Sequence, residues 1–224
     1  MLKAIVFDFD GVISNSEPVH FATFQKVLAQ EGIRISKADY FQRYLAMDDK
    51  GAFTAAFHDH GRNIEITKLG ELIERKSYYF KNHDQIETYA DTIDFIHRNA
   101  GRYPFAINSG ALREEIENVL EKRAIAKHFS VIVSAEDVRR CKPDPEGYLQ
   151  AVARLNQAHP ELRASARECL AIEDSVGGVR SAIAAGMKCV AVTNTYPKIY
   201  LEDASHIVTS IEELTEQFLT ELFG

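Results

Sequence analysis

The hydrophobic pattern of the chain begins with a short, continuous apolar segment. Residues 4–9 are apolar except for Asp8, and this pattern is typical of a strand buried on both faces of a parallel sheet. Asp10 and the turn-forming Gly11 follow directly. A buried, ionised carboxylate costs free energy unless it is paired, hydrogen-bonded or bound to a metal. The two aspartates therefore indicate either ordinary turn chemistry or a functional site. An EF-hand loop is excluded, because it needs Gly where Ile13 stands.

Hydrophobic positions between residues 16 and 84 keep a helical spacing. Ser16 is typical of an N-cap, Pro18 is tolerated in the first turn of a helix, and Gly32 fits the C-terminal stop. Further helical segments are predicted at residues 40–44, 52–57 and 69–80. The block shows no strand-like alternation, so we predict an all-helical region that follows a single strand.

The pattern changes after residue 84, where short apolar segments alternate with amphipathic ones. The predicted strands are 103–107, 130–133, 168–172 and 188–192, and the predicted helices are 92–100, 113–123, 145–156 and 176–185. Such alternation indicates an α/β fold with a doubly wound, Rossmann-like parallel sheet. The first strand has no partner in the helical block and must belong to this sheet. We therefore predict an α/β core at residues 1–15 and 85–224, with an inserted α-helical cap domain at residues 16–84.

The composition fits a globular protein and excludes several classes of function. The chain has 224 residues, a net charge of −7 and 46% hydrophobic residues. An acidic net charge gives no sign of the basic surface that binds nucleic acid or an anionic membrane, so neither is expected as a partner. No apolar run approaches the length of a membrane span, the N-terminus has no signal-peptide pattern, and the three cysteines lack metal-ligand spacing. We expect a cytoplasmic protein with reduced thiols, either a monomer or a small homo-oligomer.

Polar residues follow several predicted strands, at the edge where open α/β sheets bind ligands. Ser109 and Gly110 follow one strand, Glu173 and Asp174 follow another, and Lys142 lies in a loop between them, ahead of two prolines. Each feature also has an ordinary structural explanation. The first pair fits a helix cap, the acids fit a helix dipole, and the lysine fits a solvated loop.

The acids are harder to explain when they are taken together. Glu173, Asp174 and the two aspartates of the first strand bring four acids to neighbouring strand ends, where they would repel one another. A divalent cation and a lysine would relieve that repulsion, and a bound phosphate would complete the charge balance. Ligand sets made only of oxygen suit Mg²⁺, which keeps several waters and is typically shared with a substrate phosphate. The sequence therefore predicts a Mg²⁺ cofactor and a phosphorylated ligand.

These residues stand within four segments that resemble the four motifs of the haloacid dehalogenase (HAD) superfamily. The segments are Phe7-Asp8-Phe9-Asp10-Gly11-Val12, Ile107-Asn108-Ser109-Gly110, Cys141-Lys142-Pro143-Asp144-Pro145 and Ile172-Glu173-Asp174-Ser175-Val176-Gly177-Gly178. They occur in the family's order and span nearly the whole chain. The helical insert is similar to the cap of the branch that contains phosphoglycolate phosphatase and β-phosphoglucomutase. The resemblance implies a sheet whose first strand is central, between the strands of the second and fourth motifs.

The resemblance also implies phosphoryl transfer, with two aspartates in the catalytic roles. Asp8 would attack phosphorus to give an aspartyl-phosphate, and Asp10 would protonate the leaving oxygen and then deprotonate the attacking water. Asp8, Asp174 and the backbone carbonyl of Asp10 would hold Mg²⁺, with Glu173 as a neighbour or a water-mediated ligand. An acid at position 10 indicates cleavage of C–O–P bonds, because the dehalogenases lack it and the phosphonate-cleaving branch has Ala there.

The resemblance further implies that residues of both the core and the cap bind substrate. The core residues that would bind the transferring phosphoryl group are Ser109, Gly110 through its N–H, Lys142, and Gly11 in the adjoining turn. The cap candidates for substrate contact are Glu17, His20, Lys50 and Lys76. Each cap residue also has an ordinary explanation, as a structural histidine near a hinge or as a solvated helix charge. Hinges are expected near residues 14–17 and 82–88, so that the cap opens and closes.

Three functions remain open at this point. The first is a Mg²⁺-dependent phosphatase that hydrolyses a small phosphorylated metabolite of the sugar phosphate or phosphoglycolate type. The alternative is a phosphomutase similar to β-phosphoglucomutase, in which the aspartyl-phosphate passes to a sugar. The third is a non-catalytic phospholigand-binding protein of the same fold. Such a protein would be free to lose Asp10 or Lys142, and this chain keeps both.

Overall fold

The chain divides into two compact units. The computed structural model describes residues 1–45, 47–81, 83 and 86–224. One unit combines Met1–Asn15 with Glu87–Gly224, and the other is Ser16–Ile86. The predicted domain boundary between Asp84 and Gln85 lies outside the described residues, as does part of the predicted second hinge.

A parallel sheet of six strands forms the centre of the larger unit. The strands of this unit are β1 (Ala4–Phe7), β2 (Ser14–Asn15), β3 (Glu87–Thr88), β4 (Phe105–Asn108), β5 (Phe129–Val133), β6 (Cys169–Glu173), β7 (Lys188–Val192) and β8 (His206–Val208). The parallel sheet has the order β5-β4-β1-β6-β7-β8, while β2 and β3 pair antiparallel with each other. The predicted α/β fold is confirmed, with the first strand between the strands of the second and fourth motifs.

Helices flank this sheet and form the second unit. The α-helices are α1 (Glu17–Gln30), α2 (Lys37–Asp39), α3 (Asp49–Asp59) and α4 (Ile66–Lys81) in the helical unit, and α5 (Ala90–Asn99), α6 (Arg113–Lys122), α7 (Glu146–Ala158), α8 (Val176–Ala184) and α9 (Glu216–Phe223) in the sheet unit. The segment predicted as helical at 40–44 is a π-helix. Among the residues that the structure describes, none of these helices has the length and apolar composition that a membrane span needs.

Both faces of the sheet are buried. On one face, Phe7 packs edge-to-face against Phe95 of α5, Phe105 of β4 and Phe129 of β5, with ring centroids 6.1, 5.3 and 5.8 Å apart. On the other face, small side chains such as Ala4 belong to the core cluster that includes buried residues of α7 and α8. A sheet covered on both sides explains why its strands are continuous apolar segments in the sequence.

The first strand ends two residues earlier than the predicted 4–9, because the chain turns at the two aspartates. The carbonyl of Phe9 accepts a hydrogen bond from the N–H of Ser14, and the N–H of Gly11 donates to the carbonyl of Ser14. Gly11 has a φ of +76°, in the left-handed region that favours glycine. This turn places both aspartates at the carboxyl end of β1. Open α/β sheets generally bind ligands at this edge.

The helical unit has an aromatic core of its own. Phe24 of α1 packs against Phe53 of α3 with ring centroids 4.7 Å apart, and the rings of Tyr40 and Tyr44 complete the cluster. The hydroxyl of Tyr44 donates to Asp59 at 2.8 Å, so its polar tip is satisfied. Within its described residues this unit contains helices and no strand, in agreement with the pattern of its sequence.

Candidate active site

The carboxyl end of β1 brings Asp8 next to Lys142. The N–H of Asp8 donates to the carbonyl of Ile172 in β6 at 2.9 Å, so the residue still follows the sheet. Its carboxyl group is buried, and Nζ of Lys142 lies 2.8 Å from its Oδ1. Burial, reinforced by the negative charge of Glu173, raises the pKa of Asp8 well above its usual range, while Lys142 opposes that rise. The pairing with Lys142 therefore favours the charged form of Asp8.

Lys142 is shared between two carboxylates. Its Nζ also donates to Oε1 of Glu173 at 2.6 Å. Burial alone would lower the pKa of Lys142, but the two carboxylates outweigh it and raise that pKa above its ordinary value. The ammonium group is therefore charged at neutral pH and fixed between Asp8 and Glu173.

Glu173 is fully buried and surrounded by donors. Its Oε1 accepts from Lys142 and, at 2.6 Å, from the hydroxyl of Tyr148, while Oε2 accepts from the hydroxyl of Ser175 at 3.2 Å. Burial and the charge of Glu173 raise the pKa of Tyr148 well above its usual value. The phenol therefore stays protonated and donates to the carboxylate.

Three buried acids could hold a metal ion. Asp8, Glu173 and Asp174 each offer a carboxylate oxygen, and these atoms lie within 4.8 Å of one another. Burial, and then repulsion from Glu173, raises the pKa of Asp174 to about 8. A bound cation would return these carboxyl groups to their charged forms. Three carboxylates without nitrogen or sulfur donors fit a hard divalent cation of the Mg²⁺ type.

The turn after β1 and the loop after β7 both contact Asp174. The hydroxyl of Thr195, in the loop after β7, donates to the Asp174 carboxylate. A Cβ at Gly11 would lie 1.7 Å from Oδ2 of Asp174, so the turn after β1 needs a glycine to approach so closely. The side chain of Asn194 donates to the carbonyl of Gly11 at 2.8 Å. Asp10 contributes its negative charge, which adds to the raised pKa of Asp174. These contacts fix the turn of the two aspartates beside Asp174.

Ser109 and Gly110 follow β4 and line a cavity of about 210 Å³ together with Lys142. The Ser109 hydroxyl accepts a hydrogen bond from the N–H of Ala111 at 3.0 Å, so its proton is free to be donated elsewhere. A hydroxyl, backbone N–H groups and an ammonium group around one cavity suit an anion. The structure thus places three of the predicted phosphate-binding residues of the core around one cavity, whereas Gly11 is not among the residues that line it.

The four cap candidates lie in the helical unit, and the structure brings two of them together. Nζ of Lys76 lies 3.2 Å from Nδ1 of His20 and 2.5 Å from Oδ1 of Asp49. Burial, and then the charge of Lys76, lowers the pKa of His20 to about 3, so the imidazole is neutral at physiological pH. Glu17 accepts from the hydroxyl of Tyr40 at 2.6 Å, and Lys50 is exposed on α3. Their contact with substrate stays a prediction.

Tyr148 and Thr195, whose hydroxyl groups donate to Glu173 and Asp174, were not predicted. Tyr148 lies on the apolar face of α7 with Ala151, Val152 and Leu155, so its spacing marks it as core. Thr195 follows a strand of the sheet on its carboxyl side, and that position was the one available signal for it.

Comparison with known proteins identifies the family. The family model described as Haloacid dehalogenase-like hydrolase matches residues 5–192. This chain belongs to the haloacid dehalogenase-like hydrolase family. The match runs from Ile5 in β1 to Val192 at the end of β7, and it includes Asp8, Lys142, Glu173 and Asp174. Family membership confirms the resemblance found in the sequence.

Relatives of the HAD chain cover nearly its whole length. The validoxylamine A 7′-phosphate phosphatase of Streptomyces hygroscopicus subsp. limoneus is 25% identical over 217 residues, which are 96% of this chain and 96% of that protein. The β-phosphoglucomutase of Bacillus subtilis is 26% identical over 225 residues, which are 98% of this chain and 95% of that protein. The crystal structure of β-phosphoglucomutase from Clostridium difficile has a TM-score of 0.75 at 19% identity, covering 100% of this chain and 97% of that one, and it shows the shared fold. The prediction of an enzyme, a phosphoric monoester hydrolase or phosphomutase, is confirmed at that level.

Proposed function

We propose that this HAD enzyme is a Mg²⁺-dependent phosphatase that hydrolyses a small phosphorylated metabolite through an aspartyl-phosphate on Asp8. The observation that carries the proposal is the position of Lys142, charged and hydrogen-bonded between Asp8 and Glu173, beside Asp174. A cation against the nucleophile lowers the repulsion that an incoming phosphate would meet. The relatives named for phosphate ester chemistry support the same class of substrate.

The residues present suggest how a phosphate ester would be handled. Ser109, the Gly110 N–H and Lys142 would bind the phosphoryl oxygens and spread their charge. An oxygen of Asp8 would form a bond to phosphorus as the bond from phosphorus to the ester oxygen breaks, and Asp10 would give its proton to that oxygen. Asp10 would then take a proton from the water that attacks the phosphorus of the intermediate. This step releases phosphate and regenerates the Asp8 carboxylate.

The metal would be held by Asp8, Asp174 and the backbone carbonyl of Asp10, with Glu173 as their neighbour. When bound, Mg²⁺ neutralises charge on the phosphoryl group and orients it for in-line attack. The support for this assignment is the set of carboxylate oxygens within 4.8 Å and the raised pKa values of Asp8 and Asp174, which mark a site short of positive charge.

A phosphate-release assay tests the proposal. Purified protein with MgCl₂ is incubated with sugar phosphates, phosphoglycolate and other phosphorylated metabolites, and inorganic phosphate is measured. We expect release from at least one ester, loss of release in EDTA, and recovery on addition of Mg²⁺. The matched control is Asp8→Asn, which keeps the size of the side chain and removes the nucleophile. Release no greater than that of the control across the whole panel would contradict the proposal.

A phosphomutase is the second candidate, because a β-phosphoglucomutase is among the relatives that cover almost the whole chain. In that case the phosphoryl group on Asp8 would pass to a sugar hydroxyl instead of water. The same assay separates the two functions when sugar products are also followed. Conversion of β-glucose 1-phosphate to glucose 6-phosphate with little free phosphate would favour the mutase.

A further inference from the structure

Tyr148 completes a chain of buried hydrogen bonds that ends at the nucleophile. Its hydroxyl donates to Oε1 of Glu173 at 2.6 Å, and the same oxygen accepts from Nζ of Lys142 at 2.6 Å. Nζ of Lys142 in turn lies 2.8 Å from Oδ1 of Asp8. Tyr148 and Glu173 are both fully buried, so neither has water as an alternative partner.

The Glu173 carboxylate is held in one orientation by its surroundings. Its second oxygen accepts from the hydroxyl of Ser175 and lies against the backbone of α8, where a Cβ at Gly178 would come within 1.9 Å of it. The donors on both oxygens therefore fix the rotation of the carboxylate. Because Lys142 is a flexible side chain, the place of its ammonium group depends on this carboxylate.

We propose that Tyr148 is a positioning residue, which acts through Glu173 to hold the ammonium group of Lys142 against Asp8 and the phosphoryl group. The inference rests on the proposed function, since it assigns Lys142 to phosphoryl binding. It also gives Glu173 a positioning role in addition to its place in the acidic cluster, because its oxygens accept hydrogen bonds from Lys142, Tyr148 and Ser175.

The variant Tyr148→Phe isolates the hydroxyl. The aromatic ring, whose centroid lies 5.6 Å from Nζ of Lys142, stays in place as a wall beside the ammonium group. The matched control is Tyr44→Phe, which removes a partly buried hydrogen bond from a tyrosine to a carboxylate in the helical unit, where Tyr44 donates to Asp59 at 2.8 Å. Each variant loses one hydrogen bond from a tyrosine to a carboxylate, and the loss of stability is measured in each by thermal unfolding.

The first measurement is the affinity for inorganic phosphate in the presence of Mg²⁺, by isothermal titration calorimetry. As long as nearly all molecules are folded, which circular dichroism checks for each variant, the apparent dissociation constant equals the intrinsic one, so a purely structural role leaves it unchanged. We expect Tyr148→Phe to weaken phosphate binding roughly tenfold, the order of one charge-assisted hydrogen bond, and Tyr44→Phe to keep the wild-type value. An unchanged dissociation constant in Tyr148→Phe would overturn the inference.

The second measurement asks whether Tyr148 acts through Glu173. Phosphate affinity is determined for Glu173→Gln with and without Tyr148→Phe, which completes a double-mutant cycle. We expect Tyr148→Phe to have little further effect once Glu173 is replaced, whereas equal effects in both backgrounds would refute the route through Glu173. If the wild type and the variants show these phosphate affinities but the wild type hydrolyses no phosphate ester, the proposed function is refuted, whereas the inference about Tyr148 is supported.

Discussion

Replacement of Lys142 by Met removes the positive charge that lies between two buried acids of the site, Asp8 and Glu173. The ammonium group lies 2.8 Å from Asp8 and 2.6 Å from Glu173. At an effective dielectric constant of about 20, attraction to one such carboxylate amounts to about 6 kcal/mol. The desolvation of the buried charges offsets part of this attraction, and removal of one partner of a buried pair typically costs about 3–5 kcal/mol. The Lys142 side chain is 18% exposed. We therefore expect the free energy of unfolding to fall by an amount at the lower end of this range, about 3 kcal/mol at pH 7.

Urea unfolding followed by circular dichroism measures this change, in EDTA so that no cation replaces the lysine. The control is Lys198→Met, an exposed lysine of the same unit, whose effect should stay within about 0.5 kcal/mol. Addition of Mg²⁺ should stabilise Lys142→Met more than the wild type, since the variant leaves the carboxylates without a countercharge. A loss of stability below about 1 kcal/mol in EDTA would refute the idea that Lys142 balances the charge of this cluster.

Two further predictions concern Asp174 and its neighbour. Because burial raises the pKa of Asp174 from 3.8 to about 8, its proton stabilises the folded chain fully below about pH 4, and this stabilisation is lost as the pH rises through 8. In EDTA, Asp174→Asn should therefore gain stability relative to the wild type between pH 5 and pH 8 in thermal unfolding, and parallel profiles would contradict this. Gly11→Ala should weaken Mg²⁺ binding in calorimetry, because its Cβ would lie 1.7 Å from Oδ2 of Asp174. Gly186→Ala has a similar positive φ but open space around it, so an equal loss of Mg²⁺ affinity there would show that strain alone is responsible.

Strands with strong apolar patterns were predicted well. The predicted strand at 188–192 coincides with β7, whereas β1 ends two residues before the predicted 4–9, because the apolar Phe9 continues the strand pattern after the chain has begun to turn at Asp8. β8 was not predicted, since its three residues are too few to show a period. The periodicity of apolar residues indicates which face of a strand or helix a residue occupies, and an element of two or three residues is too short to show a period.

The grouping of the charged residues was predictable, and the hydroxyl groups around them were not. Asp8 and Asp174 follow neighbouring parallel strands, whose carboxyl ends meet at the same edge of the sheet, so their proximity follows from topology. The partner of Tyr148 depends on how α7 docks against the sheet, because helical spacing alone marks the residue as core. The contact of Thr195 was equally unpredictable. This residue lies in the loop after β7, and a loop has no regular spacing of side chains from which a contact could be predicted.

β1 lies in the middle of the sheet but comes first in the chain, so a ribosome releases this central strand well before either of its neighbours, β4 and β6. β4 begins about 100 residues after β1, and β6 about 160 residues after it. At 5–20 residues per second, β6 emerges roughly 10 to 30 seconds after β1. The helical unit Ser16–Ile86 depends on local contacts and folds early in that interval, while the apolar β1 has no partner on either edge until β4 is released. A nascent chain arrested before β4 therefore exposes β1 with both edges unpaired, and a chain arrested between β4 and β6 still leaves one edge of β1 open.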